Sequence, residues 1–196
     1  EELGLLSLSA ADHPEIGPLC DLLVEAHAAR GIDLSLPSTR VDSLSVGLAD
    51  RVAQVRKSGI TLAPEAGTQR LRDVINKQVT DEDIMAAASA AFNAGFSLIK
   101  LYFMIGLPSE TDEDAEGIVR IIRRIVGLAT SRGIKRGTVV TASLAAFIPK
   151  PHTPFQWSAQ ADGETLERRR RIVTDALRKE RRADVSWSDP ATAQLE

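Results

Sequence analysis

The sequence predicts an α/β fold: a partial (β/α) barrel of the TIM type, with about five or six parallel strands and outer helices. Three observations lead there. Short apolar runs alternate with longer helical stretches along the chain, and that alternation calls for parallel strands joined by right-handed crossovers, in a barrel or an open doubly wound sheet. No G-x-G-x-x-G follows the first apolar run, which counts against a dinucleotide-binding open sheet. A complete barrel needs ~250 residues and the chain has 196, so an arc is expected.

The elements follow in order. Residues 3–8 read as a strand, and a helix follows over 14–30, with Ile16, Leu19, Leu22, Leu23 and Ala26 on one face and Gly31 at its end. Residues 32–36 form the second strand, closed by Pro37, and a helix runs over 43–57. The third strand is 60–63, and Pro64-Glu65-Ala66-Gly67 is a loop before a short helix over 69–75. Thr80 and Asp83 have the spacing of a helix cap, and that helix ends at Gly95. Residues 96–105 are the most apolar strand; a helix capped by Thr111 or Asp112 follows, to 132. The fifth strand is 138–147; a proline-rich loop leads to a last helix over 163–182, and Val185-Ser186-Trp187 forms one more short strand.

Composition narrows the function. With 43% apolar and 26% charged residues the chain can fold as a single domain, 1–196, and its net charge of −3 gives no overall basic field for nucleic acid. One cysteine, Cys20, rules out an internal disulfide or a three-cysteine metal site, and His13, His27 and His152 are too scattered to form one. No metal site is therefore expected in the chain. No apolar run reaches the roughly 18 residues of a spanning helix, and no signal peptide pattern opens the chain, so a cytoplasmic protein without membrane contact is expected. Glu1 precedes a strand pattern and Glu196 follows no helix cap; the chain reads as a fragment whose exposed sheet edges invite dimerisation.

In either architecture ligands bind at the C-terminal ends of the strands. There Glu65 offers a carboxylate to ribose hydroxyls or an amino group, beside Gly67, which would let a ligand approach the backbone; a helix N-terminal turn explains Glu65 equally well. Gly106 and Pro108 make a sharp turn that exposes main-chain groups to a flat heterocycle, or simply join strand to helix. Arg40, Arg70 and Arg72 are candidates for a carboxylate or phosphate, and Glu110 for substrate. The basic stretches 168–171 and 178–182 read as a solvated helix face balanced by Glu164, Glu167 and Glu180.

Three strand-end motifs, in order, resemble the radical S-adenosylmethionine (SAM) superfamily. Tyr102-Phe103-Met104-Ile105-Gly106-Leu107-Pro108-Ser109-Glu110-Thr111 is similar to its fifth-strand signature. Ala63-Pro64-Glu65-Ala66-Gly67-Thr68-Gln69-Arg70 is similar to its fourth, and Phe147-Ile148-Pro149-Lys150-Pro151-His152-Thr153-Pro154 to its sixth. The resemblance implies that the chain carries the second to sixth strands of the barrel. The first strand and the Cys-x₃-Cys-x₂-Cys loop that ligates a [4Fe–4S] cluster would then lie before Glu1. It implies a full-length enzyme that cleaves SAM reductively to a 5′-deoxyadenosyl radical, and a fragment that is itself inactive with no cofactor bound. It implies SAM contacts at Ser7 and Ser9, which replace the usual Gly-Gly-Glu, at Glu65, Gly67 and Arg70, at Ile105 and Gly106 beside adenine, and at Phe147 and Ile148. Arg40, Arg72 and Glu110 would face substrate or a carboxylate. The wording Ser-Leu-Pro-Ser-x-Arg-Val-Asp and Ala-Pro-Glu-Ala-Gly resembles a bacterial group of Fe–S oxidoreductases, B12-binding-type radical SAM proteins of unassigned substrate related to methylthiotransferases. A cobalamin-binding-like domain would precede the barrel there, and the substrate could be RNA, protein or a small molecule. The alternatives are another (β/α)-barrel enzyme, a phosphate-ester binder at Gly67 or Gly106, or a scaffold domain that has lost its cluster.

Overall fold

A computed structural model describes residues 2–4, 13–27, 30, 32–35, 59–134 and 137–188. The candidates Ser7, Ser9 and Arg40, and the helix expected over 43–57, lie outside these.

The order is β1 (Glu2–Gly4), α1 (Ile16–His27), β2 (Asp33–Ser35), β3 (Ile60–Glu65), α2 (Gln69–Val74), α3 (Asp81–Asn93), β4 (Ile99–Ile105), α4 (Asp112–Ser131), β5 (Val140–Ala146), α5 (Gly163–Leu177) and β6 (Ala183–Trp187). The six strands of the described residues pair in parallel: β1 with β2 in a short two-stranded sheet, and β3-β4-β5-β6 in a second sheet. Strand order in the larger sheet follows chain order without a reversal, whereas an open doubly wound sheet has a switch point.

The two faces of this sheet differ. Burial alternates along β3, β4 and β5, so that Leu62, Leu101, Phe103, Ala142 and Leu144 are buried on one side. There they meet α3, α4 and α5 in one core, with Ile84, Ile118, Ile122, Ile125 and Val173. Each such buried aliphatic contributes about 1.5–3 kcal/mol over its exposed state. The other face carries register rows Thr61–Lys100–Thr141–Asp184 and Tyr102–Ser143–Ser186. Tyr102 is 47% exposed on that face. A parallel sheet normally hides both faces beneath helices. Helices on one side and a second side left without helices fit the wall of a partial barrel, whose outer ring alone is helical.

Local chemistry explains the element ends. Thr80 and Asp83 form the expected capping box: the Asp83 N–H donates to Thr80 Oγ1 at 3.0 Å and the Thr80 N–H to the Asp83 carboxylate at 2.9 Å. β3 is longer than the sequence suggests and includes Pro64 and Glu65. It takes three steps from Leu62 to Glu65 against two from Leu101 to Phe103 on β4. That extra residue is a bulge, and a bulge is where a strand tolerates a proline. The last helix stops at Leu177 rather than 182, and β6 begins at Ala183. No helix of the described residues is long and apolar enough to cross a membrane.

Candidate functional site

The loops after β3, β4 and β5 meet in a small apolar cluster distinct from the main core. Ala66, Leu71, Leu107 and Phe147 are buried in it, with Ile75, Met104 and Phe155 packed against them. The rings of Phe147 and Phe155 meet edge to face, 5.8 Å apart at 86°. The three motif segments singled out from the sequence thus come together at the C-terminal edge of the sheet.

A non-glycine residue lies in the left-handed backbone region at each of these places: Glu65, the last residue of β3, at φ 68°, and Ser109 and His152 in the loops after β4 and β5, both at φ 62°. Such conformations cost of order 1–3 kcal/mol each and gather where function needs a particular chain path. Glu65 is half-buried, and the Lys77 ammonium lies 3.5 Å from its carboxylate. Phe147 continues the ladder past β5, its N–H donating to the Ile105 carbonyl at 2.8 Å. The Ile105 side chain is fully buried in the main core, and Gly106 faces Leu166 and Ala161 of that same core. Ile148 is half-buried beside Phe147.

Gly67 is buried, and what its missing side chain admits is not a ligand but helix α4: a Cβ there would fall 2.5 Å from the Ile118 nitrogen. Gly117 on α4 meets it in return, since a Cβ there would lie 2.6 Å from the Gly67 carbonyl carbon. Arg72, expected to face substrate or a carboxylate, is 0% exposed. Its guanidinium donates to the carbonyls of Val79 at 2.7 Å and Ala66 at 3.1 Å, and pairs with Asp81. Arg124 closes on the same carboxylate at 3.1 Å, so this arginine is an internal brace. Glu110 is also buried rather than open to substrate. It accepts the Gly106 N–H at 2.5 Å and pairs with Arg169 at 2.7 Å. The Gly106 N–H, expected to be free for a heterocycle, is therefore spent.

Arg70 remains half exposed and ties α2 to the β4–α4 loop, donating to the Ser109 carbonyl at 3.0 Å and pairing with Asp114. Asp114 is a residue the sequence reading passed over. It accepts from Thr68 and, at 2.7 and 2.8 Å, from the Thr111 N–H and hydroxyl. Burial works against its ionisation, but those bonds and Arg70 outweigh it and hold the carboxyl below its ordinary range. For Glu110, burial dominates and raises the carboxyl, opposed by the Gly106 N–H and Arg169. Arg169 was also missed, having been read with its neighbours as a solvated face. Its neighbours do behave so: Arg170 and Arg171 both bond Glu167 at 2.7 Å and pull its exposed carboxyl down to about 2. Arg169 instead shares the buried stripe Leu166, Val173 and Leu177, a spacing visible in the sequence.

Among the described residues no group of three or more His, Cys, Asp or Glu could hold a metal ion, and the one cysteine, Cys20, is buried on α1. A three-thiolate cluster set does not fit these residues.

Comparison with known proteins bears on the same region. The family model described as the radical SAM superfamily matches residues 2–122. An uncharacterized protein of Methanocaldococcus jannaschii, MJ0966, is 32% identical over 179 residues, covering 91% of this chain and 36% of the relative. The chain therefore spans about a third of the length of the curated relative it matches. Among solved structures, SuiB of Streptococcus suis superposes with a TM-score of 0.63 at 11% identity, over 96% of this chain and 39% of its own. Coproporphyrinogen III oxidase (HemN) of Escherichia coli, a radical SAM enzyme, gives 0.60 at 14% identity, over 84% and 36%. These likenesses show the fold, and the four-stranded sheet with helices on one face is a partial barrel of that kind.

Proposed function

Because the chain belongs to the radical SAM superfamily, we propose that its strand-end loops form the SAM-contacting wall of a longer iron–sulfur enzyme. The family uses SAM and a [4Fe–4S] cluster, and the thiolates for that cluster would come from residues other than these 196. Reductively cleaved, SAM supplies the radical that abstracts hydrogen from a substrate.

The convergence of the three loops on one apolar bed supports this reading. Adenine would lie against the outer edge of this cluster, bordered by the main-chain edge from Ile105 to Gly106 and at Ile148. Glu65, held by the β3 bulge and balanced by Lys77, would accept from ribose hydroxyls or the methionine ammonium. Arg70, half exposed and anchored through Nη2, would present its remaining guanidinium edge to the methionine carboxylate. The open polar face with Lys100, Tyr102 and Ser143 would line the space that substrate enters.

The full-length protein, reconstituted anaerobically with iron and sulfide and reduced with dithionite, should convert SAM to 5′-deoxyadenosine and methionine. Absence of 5′-deoxyadenosine from a preparation whose cluster is intact by electron paramagnetic resonance would sink the reading.

A further inference from the structure

We propose that Arg169, on α5, is a positioning residue for the nucleoside end of SAM, acting through Glu110 on the Gly106 turn. The inference rests on the reading above that this turn borders adenine.

The geometry is a two-step clamp. Gly106 leaves β4 at φ 88°, a conformation open to glycine and costly for other residues. Its N–H donates to the Glu110 carboxylate at 2.5 Å. Glu110 in turn receives two donors of one guanidinium, Nη1 of Arg169 on its carboxylate at 2.7 Å and Nη2 on its own carbonyl. Both side chains are nearly closed off, at 10% exposure for Arg169 and 1% for Glu110. The same helix and the residues just before it press on the turn directly: a Cβ at Gly106 would lie 2.7 Å from a methyl of Leu166 on α5 and 3.0 Å from the Cβ of Ala161, ahead of the helix. The loop after β4 is thus shaped from the helix after β5, 59 residues further along the chain.

A buried ion pair adds little net stability, because desolvation offsets attraction, and apolar substitutes often serve as well. What such a pair supplies is direction. Arg169 Nη1 and the Gly106 N–H meet on the same carboxylate oxygen, Oε2, while Nη2 holds the Glu110 carbonyl. The guanidinium thus sets where that oxygen sits, and the oxygen sets the Gly106 amide plane and so the carbonyl edge of Ile105. Without the clamp the turn has no acceptor to hold it against Leu166.

The test uses the full-length, anaerobically reconstituted protein and two probes, 5′-deoxyadenosine and methionine, with affinities measured by calorimetry. Arg169→Met combined with Glu110→Leu removes both charges together, so that neither is left buried alone. Its thermal midpoint should stay near wild type, its affinity for 5′-deoxyadenosine should fall about ten-fold, and its affinity for methionine should hold within about two-fold. Arg169→Lys keeps the charge but gives up the fork; it covers the case in which the double variant does not fold, and should show a smaller loss of the same selectivity. Unchanged nucleoside affinity in the folded variants, with Gly106→Ala weakening it, overturns the role of Arg169 alone. Unchanged affinity in Gly106→Ala as well overturns the adenine reading of the turn and the inference with it. An equal loss for methionine would make the pair merely structural and also overturns the inference.

Discussion

At the scale of single residues, Glu65 pays a conformational cost that a glycine in its place would avoid. Its φ of 68° lies where Cβ crowds the following carbonyl. Glu65→Gly should therefore melt above Glu65→Ala by about 1 kcal/mol, measured by denaturant unfolding. Both variants lose the carboxylate, and both should bind SAM more weakly than wild type in the full-length enzyme. Equal stabilities for the two would remove strain from the account of this position. The carboxylate beside a glycine was legible in Pro64-Glu65-Ala66-Gly67, but the backbone angle was not, because glutamate carries no mark of φ. Arg169 shows the opposite failure. Its position on the stripe Leu166, Val173, Leu177 was open to reading, and it was grouped with Arg168, Arg170 and Arg171 on charge alone.

At the scale of elements, helix starts were the most legible feature, since a threonine followed three positions later by an aspartate satisfies orphaned N–H groups locally. Asp114 shows why local signals stop short of the site. The sequence places it in the first turn of α4, but the same carboxylate also takes Thr68 and Arg70 from the preceding βα unit. Partners that distant in sequence are chosen by packing, not by spacing. The packing depends on Gly67 and Gly117, where loop backbone and helix backbone touch with no side chain between. Gly117→Ala should be costly although alanine is the better helix former, because the methyl group would meet backbone that cannot turn aside. A loss of about 2–3 kcal/mol is expected from chemical denaturation, against a gain of about 0.5–1 kcal/mol for Gly127→Ala on the same helix, where nothing lies within 4 Å of a Cβ. Equal effects at the two positions would show that the loop can move away from α4.

At the scale of the whole molecule, the barrel wall joins an apolar face, which holds the helices, to a polar face and a strand-end rim. The apolar face was legible as alternation along β4 and β5. The rim was legible only as motifs, because its cross-links run between units. Two of those cross-links titrate in opposite senses. Asp114 has a folded-state pKa below its ordinary 3.8, so its contribution is present above that value and is lost as pH falls through the depressed pKa. Glu110 has a folded-state pKa above its ordinary 4.5, so the unfolded chain gives up its proton first. Its contribution is full below that value and declines as pH rises through the raised pKa. Together they favour a stability maximum near pH 4, between the two ordinary values, with a fall on either side. Melting temperatures from pH 3 to 8 should show the acid limb flattened in Asp114→Asn relative to wild type, and the limb above pH 4.5 flattened in Glu110→Gln. Each difference curve isolates one carboxyl from the exposed acids that titrate in parallel. An acid limb as steep in Asp114→Asn as in wild type would mean that the Thr68, Thr111 and Arg70 contacts do not hold the charge of this carboxylate, and that the β3 and β4 loops are joined by backbone packing alone.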